Sequence, residues 1–141
     1  MLKILKDLSN EFEEQQRKFM EMAQKQIEPV LKNFMKEHPN IKAIGWQQYT
    51  PYFNDGDECV FRYNGLFASN VEDFSDSFYG DGWFEVYGTV EEGYDPKDWA
   101  DLRELDETLS SLENCLQVVF GDHVRVIVTQ KGVDVEECEH D

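Results

Sequence analysis

DPKDWADLRELDETLSSLENCLQVVFGDHVRVIVTQKGVDVE, residues 95–136, holds a helix and a hairpin end to end. Asp95 is an N-cap residue, Pro96 suits the first helical position, and Asp98 stands in the first turn, where the helix dipole favours an acid. Trp99, Leu102, Leu105, Leu109, Leu112, Leu116 and Val119 recur at steps of three and four, one stripe of a helix ending at Gly121. The period then changes to two. Val124, Val126 and Val128 alternate with His123, Arg125 and Ile127; Lys131-Gly132 supplies a turn; Val133 and Val135 alternate with Asp134 and Glu136. A helix feeding an antiparallel hairpin selects the α+β class.

Working outward, residues 41–50 (IKAIGWQQYT) and 58–68 (ECVFRYNGLFA) read as strands, with Asn54-Asp55-Gly56 as turn chemistry between them. In the second, Cys59, Phe61 and Tyr63 share one face. The segment from Asn70 to Gly82 (NVEDFSDSFYGDG) reads as a 13-residue loop, long enough to be functional or mobile. A short strand follows at 83–89. Residues 2–37 read as a long helix. Leu5, Leu8, Phe12, Phe19, Met22, Ala23, Ile27, Val30 and Phe34 form its stripe, interrupted at Gln15 and Gln16, with a kink or division expected at Pro29. The stripe either faces a core or, being longer than a small sheet covers, pairs with a second copy of the chain. The expected order is α-β-β-β-α-β-β: an antiparallel sheet with both helices on one face, in one domain spanning 1–141. That domain comprises the helical segment 2–37 and an α+β body at 41–141.

Charge divides the chain unevenly. Of 13 Lys/Arg and 30 Asp/Glu, residues 1–42 hold eight and seven, which leaves five and 23, a net of −18, for residues 43–141. Such a field repels nucleic acid and anionic membrane and attracts basic surfaces, at some cost in self-repulsion. There is no apolar run of membrane-spanning length, and the N-terminal residues lack the pattern of a secretory signal, so a cytoplasmic protein is expected. Cys59, Cys115 and Cys138 are odd in number and form no C-x-x-C pair, which fits buried free thiols.

Catalytic and metal signals are sparse. Cys138-x-His140-Asp141 has no second ligand pair at zinc spacing, and Asp55-Gly56-Asp57 fails the calcium-loop pattern because Pro51 and Phe53 occupy liganding positions. No G-x-S-x-G, phosphate-loop or dinucleotide motif occurs. His38, His123 and His140 read as surface or strand-edge residues. Neither a cofactor nor a metal is expected.

The compositional signal lies in residues 46–99, which carry 15 of the 19 aromatics and 12 acids against two bases, Arg62 and Lys97. Tyr52, Phe53, Phe74, Phe78 and Tyr79 stand in turn or loop sequence beside Asp55, Asp57, Glu58, Asp73, Asp76 and Asp81. Aromatics among carboxylates suit arginine-rich protein surfaces, through cation–π contacts and charge-assisted hydrogen bonds. These eleven residues are therefore the candidate partner-binding set, with Glu91, Glu92, Asp101 and Glu104 as further contact groups. In the strong form of this reading the acids mimic DNA phosphates and occupy a nucleic-acid-binding groove. Two alternatives stand beside it: a carbohydrate-active hydrolase using paired carboxylates, and a structural or oligomeric component.

Two segments carry a resemblance. Trp46-Gln47-Gln48-Tyr49-Thr50-Pro51-Tyr52-Phe53-Asn54-Asp55-Gly56-Asp57 resembles a stretch in small uncharacterised proteins of tailed bacteriophages and prophages. Gly121-Asp122-His123-Val124-Arg125-Val126, running on to Gly132 and His140-Asp141, resembles their C-terminal hairpin. The resemblance implies a phage-like setting, in host cytoplasm, where small acidic proteins bind and disable host factors. It carries no active-site residues over to this chain.

Overall fold

A computed structural model describes residues 1–51 and 59–138. The class is the expected α+β. Helix α1 spans Leu2–Glu37, and strands β1 (Ala43–Tyr49), β2 (Arg62–Tyr63), β3 (Phe67–Ser69) and β4 (Phe84–Glu85) follow. Helices α2 (Pro96–Ser111) and α3 (Glu113–Phe120) lead into the hairpin β5 (Val124–Thr129) and β6 (Gly132–Glu137). All pairings are antiparallel, in the order β4-β3-β1-β5-β6, with β2 also on β1.

Two runs that read as single elements are each divided. The strand run breaks because β1 aligns Gln48 with Tyr63 and Gly45 with Phe67. Two residues of β1 thus face three of the other strand, a one-residue bulge. Gly65 provides the positive φ of +94° there. An α2 carboxylate holds the bulge: Asp106 Oδ1 accepts from the Leu66 N–H at 3.0 Å and from the Tyr63 hydroxyl at 2.7 Å. The second helix breaks at Leu112. Just before it, the Thr108 and Ser111 hydroxyls donate to the Glu104 and Thr108 carbonyls, a back-bonding that bends helices. The start of α2 is as read, with the Asp95 side chain accepting from the Lys97 and Asp98 N–H groups. Helix α1 is not divided at Pro29, which lies inside one continuous element.

The main core lies between the sheet and the helices. Ile44, Trp46, Val126 and Val128 from the sheet meet Leu31, Met35, Trp99, Leu102, Leu109 and Leu116. A polar side chain, Gln48, sits in it. Gln48 is fully buried; its amide donates to the Leu116 and Gly121 carbonyls at 2.9 and 2.7 Å, and its oxygen accepts from Trp46 Nε1 at 2.8 Å. These bonds tie the end of α3 to β1 and satisfy every strong group involved. The exposed outer strand β6 carries Asp134, Glu136 and Glu137, charges that discourage edge-to-edge pairing.

Candidate interaction surfaces

The second face of the sheet is covered by the 70–82 loop, which the sequence suggested would be functional or mobile. Phe78 is 3 % exposed and stacks on Phe67 at 4.9 Å between ring centroids. Trp83 packs edge-on to Phe78 at 4.9 Å, and Phe74 lies 4.7 Å from Trp83. With Ala43 and Ile127 these rings form a second core. Gly45 makes room for it: a Cβ there would come within 2.7 Å of Phe78 Cζ and 2.9 Å of the Val126 carbonyl oxygen. The loop is braced by Trp83 Nε1 donating to the Ser75 carbonyl at 2.8 Å and by the Ser75 N–H bonding the Asp81 carbonyl. Arg125 caps the cluster, its guanidinium 5.6 Å from the Phe78 ring centre.

Phe78 therefore leaves the candidate contact set, and Phe74, half-buried in the same cluster, is withdrawn with it. Their neighbours remain at the surface. Tyr79 is 85 % exposed, and Asp73, Asp76 and Asp81 are exposed together with Glu72. The rings serve as the foot of the loop and the acids as its outer surface. Tyr52, Phe53, Asp55, Asp57 and Glu58, the other half of the set, lie outside the described residues.

Asp101, offered by the sequence as a contact group, is an internal fastener, and Glu113 and Asp122 act in the same way. Asp101 accepts from His38 Nε2 at 2.8 Å. His38, read as a surface residue, is 7 % exposed and stacks on Phe34 at 4.1 Å. Its Nδ1 donates to the Phe34 carbonyl at 2.7 Å. Both of its partners only accept, an arrangement that favours a proton on each ring nitrogen and so the charged form. Burial pulls its pKa down, but the hydrogen bonds to Asp101 and Phe34 and the charges of Asp101 and Asp98 outweigh that and leave it raised. The same bond, with help from Lys97, holds the Asp101 carboxyl below its ordinary value. Glu113 accepts from Arg62 Nη1 at 3.0 Å and from the Tyr63 N–H at 3.1 Å. Asp122 accepts from the Thr50 N–H and hydroxyl at 2.7 and 2.6 Å; burial raises its pKa, and these bonds with that of the His123 N–H bring it below normal.

Among the described residues, the carboxylates whose pKa is displaced, Glu14, Asp101 and Asp122, are all held low. A glycosidase general acid needs the opposite shift. Among the described residues, no cluster of three or more His, Cys, Asp or Glu is placed to hold a metal ion, and no helix is long and apolar enough to cross a membrane. Cys115 is buried, whereas Cys59 is exposed.

The core-facing reading of the α1 stripe holds over only part of the helix. Its buried residues, Leu31 and Met35, lie in its last third, with Ile27 and Phe34 packed beside them. Leu5, Leu8, Phe12, Phe19 and Met22 are 48–62 % exposed. Where the helix leaves the body, Phe19, Met22, Ile27 and Val30 join Leu105, Leu109 and Leu112 around an open apolar groove of about 250 Å³. Comparison with known proteins returns no matching family model, no matching curated protein and no matching solved structure.

Proposed function

We propose that this is a non-enzymatic binding protein whose acidic body occupies a basic site on another protein. The observation that carries the reading is the 70–82 loop, which keeps Glu72, Asp73, Asp76, Asp81 and Tyr79 at solvent while anchoring itself through Phe74, Phe78 and Trp83. A loop fixed in this way presents carboxylates with little ordering left to lose on binding. The net charge of −18 on residues 43–141 supplies long-range attraction toward a basic partner. In the strong form the partner is a nucleic-acid-binding protein and the carboxylates take the place of phosphates. The resemblance to phage and prophage proteins supports a host protein as partner and host cytoplasm as the place of action.

An arginine-rich peptide is the simplest probe. Its affinity should fall steeply between low and physiological salt. The triple variant Asp73→Asn/Asp76→Asn/Asp81→Asn should bind it about tenfold more weakly, at ~0.5 kcal/mol for each rim charge. Unchanged affinity in that variant would remove the loop from the binding surface, and salt-insensitive binding would remove the electrostatic basis altogether.

A further inference from the structure

We infer that α1 pairs with α1 of a second copy of this chain, antiparallel, over residues 1–26. This goes beyond the acidic-surface reading and does not rest on it.

Leu5, Leu8, Phe12, Phe19 and Met22 recur regularly in the projecting part of α1, and Gln15 falls in the same series; Leu2, Ile4 and Ala23 flank it. The spacing along the series is 3, 4, 3, 4, 3: a heptad seam with period 3.5. The outer face is polar and fastened within the helix, Arg17 bonding Glu21 at 2.7 Å and Glu14 on its other side. A helix projecting from its body lacks the tertiary packing from which helices in proteins draw most of their stability. A second copy supplies that packing with an identical seam.

Direction follows from two independent charge arguments. In the antiparallel register that sets Leu5 against Met22 and Leu8 against Phe19, Phe12 meets Gln15 near the two-fold axis. The flanking residues on one side are then Glu11 of one copy and Lys18 of the other, twice over, and opposite charges meet. A parallel pair places Glu11 beside Gln16 and Lys18 beside Ala23, so neither charge gains a partner. The bodies give the second argument. Each carries −18, whereas residues 1–42 sum to +1. Parallel helices would put both bodies at one end. Antiparallel overlap through residue 26 puts them at opposite ends, about 39 Å apart along the helix, several times the ~8 Å screening length at physiological salt.

The same register accounts for the groove. Met22 and Gln26 line it, and they face Leu5 and Met1 of the other copy. The first turns of one α1 therefore end over Leu105, Leu109 and Leu112 of the other body, continuing the seam from helix to body.

The test uses the full chain and sedimentation equilibrium. The unmodified protein should be a dimer at tens of micromolar. Leu8→Glu should make it a monomer with unchanged near-ultraviolet dichroism, because Leu8 is 58 % exposed and belongs to neither core cluster. Glu11→Lys and Lys18→Glu should each raise Kd about tenfold, as two opposite-charge pairs become like-charge pairs. Mixing these two variants in equal amounts should restore Kd to within about twofold of the original, because every facing pair is again complementary. A monomer up to ~0.5 mM would overturn the proposal. So would a dimer indifferent to Leu8→Glu. A mixture no tighter than its components would overturn the antiparallel register.

Discussion

The 70–82 loop and the first 26 residues of α1 are opposites in what they do with apolar side chains. The loop set its rings among acids and serines, and its sequence looked like a surface; Phe78 is nevertheless buried against Gly45. The helix repeated its apolar residues with helical regularity, which suited a core face or a pairing face; Phe12 is 62 % exposed. Periodicity reports which side chains share a face. It does not report whether anything covers that face. The sheet had two faces to cover, and its second was closed by the loop, while the apolar side chains in the outer part of α1 stay exposed.

Substitution can break that contrast at either end. The largest effect is expected from Phe78→Ala, at about 3–5 kcal/mol measured by urea unfolding, since the aromatic fills a closed cluster. The matched change Phe12→Ala should cost the body under ~0.5 kcal/mol in dilute solution. Equal costs for the two would erase the distinction between anchored and unanchored aromatics. Next comes Gly45→Ala, whose methyl would strike Phe78 and the Val126 carbonyl, at about 1–3 kcal/mol. A neutral result would mean that Phe78 does not sit over β1.

A third test sharpens the boundary on α1, where His38 and Asp101 fasten the end of the helix to α2. The folded pKa of His38 is raised above its ordinary 6.5, so its contribution is complete below about 6.5 and is lost as pH rises through the folded value. Asp101 is lowered from 3.8, so its contribution is present above that value and is lost as pH falls through the lowered one. The fastener is therefore strongest between those limits. Because Asp101 is 31 % exposed, its loss should cost only about 1 kcal/mol. Unfolding midpoints from pH 5 to 9 should show a downward step above 6.5 that Asp101→Asn removes; parallel profiles for the two proteins would contradict the imidazolium assignment. The smallest expected effect is a rise in Tm of a few degrees from ~10 mM to 0.5 M monovalent salt, as screening relieves the acidic body. A flat Tm would mean that spacing and internal pairing already relieve it.

Much of the fold was legible because its signals are local. Asp95, Pro96 and Asp98 announce the start of α2, and the alternating valines announce the terminal hairpin. The divisions within runs were not legible, because they depend on partners far along the chain. The bulge at Gly65 is held by Asp106, and the break at Leu112 precedes Glu113, which reaches Arg62 and Tyr63. The candidate site was half legible. Tyr79, Asp73, Asp76 and Asp81 stand at the surface as composition suggested, while Phe74 and Phe78 are drawn inward by a sheet face that no short-range pattern reveals. One clue was available in Gly45, a glycine within a strand, which marks a close approach. The roles of Asp101, Asp106, Glu113 and Asp122 left no such trace, since a fastening carboxylate and a solvated one have the same letter.

Peptide-resolved hydrogen exchange at two protein concentrations tests the central contrast most directly. Amides of residues 70–83 should be protected to the same degree at both, because the loop is anchored within its own chain. Amides of residues 2–26 should gain protection as concentration rises, because a second copy covers that helix. A loop that exchanges freely, or a helix whose protection ignores concentration, would contradict the account.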